Sequence, residues 1–290
     1  KIENVSQSAL LTQYENGLVS KIEVKGNILE VGAGCGSFTR NYINSEIRQN
    51  QDLLKIASDI DKIYFYGAGC SSIELNQIVE NGLSKVFESA EIVVDHDLLA
   101  CAYATYDGNP GISCILGTGS NSCFFDGKTL SEVVPALGYV LGDEGSGSYF
   151  GKFLLTSYLY GKLPKEINDE FNLKYGLTKD EIIDSVYKQS NPNVYISSFM
   201  PFIIEFKDHP FLNAYLIEGL KHFMRVHVCC YKDYEQTSIH FVGSLSALLE
   251  QELKTAAKDI GVKIESIVQK PVGPLVDYHI KYVLKDQLVD

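Results

Sequence analysis

Two hydrophobic periodicities alternate along the chain, and together they predict a layered α/β protein. Residues 62–66 place Ile63, Tyr64, Phe65 and Tyr66 in succession with no polar face, the pattern of a strand covered on both sides. The run ends in Gly67-Ala68-Gly69-Cys70, and residues 73–86 then carry apolar groups at helical spacing. Residues 91–94 predict the next strand, and a helix is expected from Asp97 through Ala104. The same unit returns at 111–116, a buried strand entering Gly117-Thr118-Gly119-Ser120. Residues 121–125 read as its partner strand, with Asp126-Gly127 as the hairpin turn. From residue 146 helices dominate, over roughly 146–160, 178–188, 193–206 and 210–230. A last strand at 239–242 meets Gly243-Ser244, and a helix follows over 245–259. This alternation predicts α/β architecture in two lobes, 1–105 and 106–290.

The first quarter is patterned less clearly. Residues 22–24 and 28–31 are short β-like runs split by Gly26-Asn27, a turn signal. Phe38, Tyr42, Ile43, Ile47, Leu53 and Leu54 give 38–56 helical spacing. Gly-Ala-Gly-Cys occurs at both 32–35 and 67–70, too short a match to count as a repeat.

Composition narrows the function classes. With 45% hydrophobic residues, 14 Phe and 18 Tyr, the chain has the material of a real core, which excludes a disordered protein. Twenty-five basic against 37 acidic side chains leave a net charge of −12, which disfavours a nucleic-acid partner. No apolar run approaches the ~20 residues that span a bilayer, and residues 1–10 lack the hydrophobic segment of a secretion signal. Seven cysteines in no regular spacing read as reduced thiols, so a cytoplasmic protein is expected.

Three places carry candidate chemistry. A buried strand ending in Gly117-Thr118-Gly119-Ser120 presents backbone N–H groups and hydroxyls to a phosphate, or is a tight hairpin without a ligand. Asp143 and Glu144 sit among Gly138, Gly142, Gly145 and Gly147 just before a helix. They are placed to accept hydrogen bonds from polyol hydroxyls, or to cap that helix. Asp97, between a strand and an Ala-rich helix, has the position of a general base for a hydroxyl nucleophile, and equally that of a helix cap. Cys229-Cys230 point to different helix faces, and the six histidines form no ligand-spaced set, so no metal site is expected. The aromatic-rich stretch 195–211 reads as core packing.

Residues 97–102 (DLLACA), 115–122 (ILGTGSNS), 137–147 (LGYVLGDEGSG) and 240–244 (HFVGS) together resemble the BadF/BadG/BcrA/BcrD ATPase family, most closely its N-acetylglucosamine-kinase-like branch. Residues 64–70 (YFYGAGC) and 269–279 (QKPVGPLVDYH) are similar to the same branch, and the agreement runs from Asp61 to His279, about three quarters of the chain. The resemblance implies the two-lobed actin-like ATPase (ribonuclease H-like) fold, with βββαβα-type lobes and ATP in the cleft between them. It implies an ATP- and Mg²⁺-dependent kinase that phosphorylates an amino sugar such as N-acetylglucosamine at its 6-hydroxyl, commonly as a homodimer. Asp97 matches the catalytic base. Gly117, Thr118 and Gly119 match a phosphate-binding turn, and Gly243 and Ser244 the adenosine motif. Ser120, Asn121, Gly138, Tyr139 and Asp143 match positions that hold the sugar.

The beginning departs from that family. Its members open with a strand and an Asp-x-Gly-x-Thr-type loop that binds β/γ-phosphates, whereas residues 1–12 contain neither glycine nor aspartate. Ser6 and Thr12 stand at equivalent places without supplying a carboxylate, residues 14–17 match the first hairpin, and Gly26-Asn27 a sugar-contacting Gly-x-Asn. A sugar-binding protein without phosphoryl transfer is therefore the alternative expectation. A rival signal lies at 27–38, where Glu30, Gly32, Gly34 and Gly36 resemble motif I of class I S-adenosylmethionine methyltransferases, with Asp59 or Asp61 as the later acid. Such a domain needs several further strand–helix units, whereas from Asp61 the sequence resembles the kinase family.

Overall fold

The computed structural model describes the backbone of residues 11–12, 20–25, 28–33 and 51–284, and side chains from residue 54 to 284. The question of the first phosphate loop, Gly34, Gly36 and most of the helix expected over 38–56 lie outside these residues. The chain divides into two compact units, Lys1–Ala104 with Pro271–Asp290, and Thr105–Lys270.

In the first unit, strands β1 (Leu11–Thr12), β2 (Ser20–Lys25), β3 (Ile28–Ala33), β4 (Lys62–Gly67) and β5 (Glu91–His96) form one sheet in that order. β1, β2 and β3 pair antiparallel, while β3, β4 and β5 are parallel. Helix α1 (Gln51–Ile56) precedes β4, α2 (Ile73–Leu83) joins β4 to β5, and α3 (Asp97–Thr105) follows β5. β4 lacks alternation because both its faces are covered: Ile63 and Phe65 pack with Val79, Leu83 and Phe87, and Tyr64 and Tyr66 pack with Ala100 and Ala104. Ser72 caps α2 by accepting from Leu75 N at 3.3 Å.

The second unit holds the sheet β10-β9-β6-β7-β8. β6 (Gly111–Leu116), β7 (Ser120–Phe125) and β8 (Leu130–Ser131) form an antiparallel meander, and β9 (Ser238–Val242) and β10 (Ile264–Val268) add parallel to β6. This is the βββαβα strand order. In the first unit the last strand of the meander, β3, lies beside the parallel pair; in the second it is the first strand, β6.

Asp126-Gly127 is the hairpin turn that follows β7, as its place after residues 121–125 predicts. It joins β7 to β8, where Asp126 Oδ1 accepts from Lys128 N and Thr129 N at 2.7 and 2.6 Å. The first hairpin closes through residues 117–119 alone. The helices of this unit are α4 (Gly138–Leu141), α5 (Gly147–Leu159), α6 (Lys165–Tyr175), α7 (Lys179–Tyr187), α8 (Pro192–Ser197), α9 (Met200–Glu205), α10 (Pro210–His227), α11 (Ser244–Leu248) and α12 (Glu250–Ile260). The helix expected over 193–206 is broken into α8 and α9 because Pro201 donates no N–H and its ring crowds the carbonyl four residues back. α6 went unread although Pro164 and the left-handed Gly176 bracket it.

The chain returns to the first unit at Pro271, so residues 271–284, grouped by chain order with the second lobe in the sequence reading, belong with the first. There α13 (Val272–Tyr278) brings Leu275 against Tyr64 and Tyr66, and Tyr278 stacks on Tyr103 with ring centroids 4.1 Å apart. His279 Nε2 lies 2.9 Å from Tyr66 Oη, and Nδ1 has no partner. Burial holds the imidazole neutral, with its pKa down to about 4. A histidine whose folded pKa is depressed binds fewer protons than in the unfolded chain, so its contribution is present above the unfolded pKa and lost as pH falls toward the folded one. Between about pH 6.5 and 4 this single group is expected to remove on the order of 3 kcal/mol of stability. Urea unfolding followed across that range tests this: His279→Gln should lack this loss, so its stability relative to the wild type should shift by about 3 kcal/mol between pH 6.5 and 4.

Candidate active site

In the second unit the site is built on the three-residue connection between β6 and β7. Its tightness is set by Gly117 N donating to Gly119 O at 2.9 Å. The start of α5 sits on this turn: Gly147 N donates to Gly117 O at 2.8 Å, Ser148 N to Thr118 O at 3.0 Å, and Ser148 Oγ to the same carbonyl at 2.6 Å. Ser146 caps the helix by accepting from Tyr149 N at 3.1 Å. The helix N-terminus is thus satisfied without Asp143 or Glu144, which removes the cap reading of these two carboxylates.

Asp143 turns instead toward the glycine turn. Its backbone is left-handed, with φ 55°, a conformation a non-glycine residue holds at some cost. Ser120 N donates to its Oδ1 at 3.4 Å, while Ser120 Oγ donates to Glu144 O at 2.7 Å. Gly119 leaves the room this requires, because a Cβ there would stand 3.1 Å from Asp143 Oδ2. Burial pushes the Asp143 carboxyl up, opposed by the Ser120 N–H and by Lys152. Lys152, on α5, is pushed down by burial against the pull of Asp143 and Glu144, and its ammonium donates to Tyr139 O. Through Lys152 the Gly138-Tyr139 segment shares the charge environment of Asp143. Gly138 itself has φ 67° and open space where a Cβ would be. Asn121 stands apart from this cluster: its Nδ2 donates to Glu132 Oε2 at 3.1 Å, and its Oδ1 accepts from Ser122 N at 2.8 Å.

Gly243 ends β9 directly beside the end of β6. With φ 121°, its missing Cβ would lie 2.3 Å from Leu116 O, so the turn into α11 can approach the glycine turn only as glycine. Gly117–Gly119 and Gly243-Ser244 therefore occupy the carboxyl ends of two neighbouring parallel strands, the edge where open α/β sheets bind ligands.

In the first unit Asp97 begins α3 with no residue between it and β5, again at the carboxyl end of a parallel strand. It is half-buried. The buried Cys70 thiol, in the turn after β4, is pushed up to about 11 by burial and then by the charges of Asp97 and Asp95. Glu30 and Gly32 lie inside β3, paired to β2 on one side and to β4 on the other. Among the described residues no three His, Cys, Asp or Glu side chains converge as metal ligands, and no helix is long and apolar enough to cross a membrane.

Two participants went unread in the sequence. Lys152 is the one cation within the apolar-aromatic α5, and that isolation was its signal. His227 ends α10 among Phe223, Met224 and Val228, and nothing local distinguishes it from a core histidine.

No protein-family model matches the chain, and no curated protein matches it. Among solved structures, the putative N-acetylglucosamine kinase of Porphyromonas gingivalis is 32% identical, with a TM-score of 0.79, over 94% of this chain and 95% of that one. The chain belongs to that protein's family. A second putative N-acetylglucosamine kinase, from Chromobacterium violaceum, shares 15% identity at a TM-score of 0.64 over 91% of this chain and 95% of its own. A ROK family glucokinase from Streptomyces griseus, solved with glucose and AMPPNP, shares 12% at 0.52 over 94% and 98%. These two establish likeness of fold, and the family's fold is the actin-like ATPase fold of sugar kinases.

For this family member the glycine at 243 has a structural duty that can be measured. Gly243→Ala is expected to lower stability by about 2–4 kcal/mol, from the left-handed strain and the clash with Leu116 O together. Chemical denaturation measures it, and a loss under about 0.5 kcal/mol, typical of an inert surface change, would show that β6 and β9 do not end in contact.

Proposed function

We propose that the protein is an ATP-dependent sugar kinase that phosphorylates an amino sugar of the N-acetylglucosamine type at its 6-hydroxyl. The observation that carries this reading is the hydrogen bond from Ser120 N to Asp143. It joins a glycine turn suited to phosphate to a half-buried carboxylate suited to a sugar hydroxyl, in a chain 32% identical to a putative N-acetylglucosamine kinase.

In this reading Asp143 accepts from a sugar hydroxyl, and Ser120, Asn121, Gly138 and Tyr139 complete the sugar's surroundings. Gly117 closes the turn from which Thr118 and Gly119 offer backbone donors to the nucleotide's phosphates, and the glycine at 243, with Ser244, lets the adenosine part lie against the backbone. Support for the nucleotide comes from the fold shared with the glucokinase solved with AMPPNP. Mg²⁺ bound to the nucleotide would supply charge neutralisation on the transferred phosphoryl group. Asp97 takes the proton of the attacking hydroxyl as the new O–P bond forms and the bond to the leaving diphosphate breaks. Catalysis then rests on positioning and charge stabilisation more than on covalent chemistry of the protein.

A second reading has an observation of its own: no aspartate precedes Asp52 in this sequence. In this reading the chain lacks the aspartate of the first phosphate loop, binds sugar and transfers no phosphoryl group. Thermal stabilisation separates the two readings. Stabilisation by sugar and by nucleotide supports the kinase, whereas stabilisation by sugar alone supports the binding protein.

Two variants then separate chemistry from recognition. Asp97→Asn is expected to retain sugar binding and lower kcat by about 10²–10⁴-fold, the usual contribution of a general base. Asp143→Asn is expected chiefly to raise KM for the sugar, since its hydrogen bond is made in ground and transition states alike. Steady-state kinetics with both variants checks the assignment. Full turnover in Asp97→Asn would remove that residue from the chemistry.

A further inference from the structure

The Asp143-Glu144 pair splits between two directions, and the second direction has no part in the reading above. While Asp143 faces Ser120, Glu144 turns to α10, where its Oε2 lies 3.2 Å from His227 Nε2. The His227 side chain is 4% exposed and the Glu144 side chain 15%, so this pair is largely withdrawn from water. Phe223 stacks on the imidazole with centroids 4.9 Å apart and planes 20° from parallel, which fixes the ring. The backbone of the same residue is held too: Ser122 Oγ, on β7, donates to His227 O at 2.6 Å and lies 3.1 Å from Tyr231 Oη.

The protonation state follows from the partners. A carboxylate accepts, so Nε2 carries the hydrogen. Burial lowers the pKa of the imidazole, against the opposing pull of Glu144 and Asp143, which favours the neutral ring. Nδ1 then bears a lone pair, and it has no donor. An unsatisfied nitrogen in the core is costly, and an apolar ring stacked on Phe223 would avoid that cost. The one thing histidine supplies here that phenylalanine cannot is the Nε2–H directed at Glu144.

We infer that His227 is a positioning residue: by holding Glu144 it holds the loop that presents Asp143, and with it the Ser120 contact. The inference rests on the reading of that loop as a sugar site. The path is short and continuous. Glu144 O receives Ser120 Oγ, Ser120 N reaches Asp143, and Gly145, with φ 67° and a Cβ position 3.0 Å from Phe223 Cβ, packs the loop onto α10 one turn before His227. Release of Glu144 leaves the left-handed Asp143 without the anchor on its far side.

The test compares His227→Phe, which keeps the stack and removes the donor, with His227→Gln, which returns a donor near the Nε2 position. Backbone amide exchange is followed in residues 142–146, with β9 as internal reference, together with steady-state kinetics. In His227→Phe the loop amides are expected to exchange about tenfold faster or more, with β9 unchanged, and sugar KM to rise about tenfold while kcat and nucleotide KM stay within about twofold. His227→Gln should recover most of both effects. Unchanged loop exchange in His227→Phe overturns the inference, as does a loss of protection spread equally over β9, which marks a purely structural role. If the wild-type chain neither binds nor phosphorylates sugar while the loop alone loses protection in His227→Phe, the hold of His227 on the loop stands and the sugar reading fails.

Discussion

The second unit depends on one constraint: a three-residue hairpin must close between β6 and β7 while its outer side receives a helix start and a loop. The three backbone carbonyls of residues 117–119 and the Gly117 amide are committed to that closure and to α5. Ser120, the first residue after it, sends its N–H and its hydroxyl to Asp143 and Glu144. A buried backbone donor left without a partner costs as much as a lost hydrogen bond, so the Asp143 loop is bound to this place by the sheet's own accounting. The carboxylate is positioned before any ligand arrives, which is what a recognition group requires.

The electrostatics of the loop follow from where it is held. Asp143 and Lys152 are each moved toward their neutral forms by burial and moved back by each other, and His227 is moved the same way against the two acids. Such a cluster is poised: its members are too buried to be well solvated and too close to be independent. The polar groups of α5 and α10 that face the loop are what make two adjacent acids tolerable beneath a glycine-rich turn.

Much of this architecture was legible in the residues. β4 and β6 were readable because strands covered on both faces are apolar throughout, and the glycine turn was readable because Gly117 and Gly119 stand where a strand stops. The Asp126-Gly127 turn was readable too, because it follows the apolar end of a strand and closes the second hairpin. Pro201 marks the break between α8 and α9, yet the apolar spacing runs through it and hides the interruption. α6 and β10 were missed because their burial is partial and their patterns mixed. Asp143 and Asp97 were singled out by the company of glycines and by a place after a strand respectively. His227 was not, because its partner is 83 residues away and only the fold brings the two together. The match to the Porphyromonas gingivalis structure extends over nearly the whole chain, so the family is secured by the fold's whole course as well as by its motifs.

The central claim is that this loop and this turn serve phosphoryl transfer to a sugar. ³¹P NMR of the protein mixed with ATP, Mg²⁺ and N-acetylglucosamine tests it most directly. The account expects a sugar 6-phosphate resonance to grow as the γ-phosphate signal of ATP declines, at a rate set by protein concentration. Sugar that binds while ATP stays intact, or ATP lost only to inorganic phosphate, would contradict it.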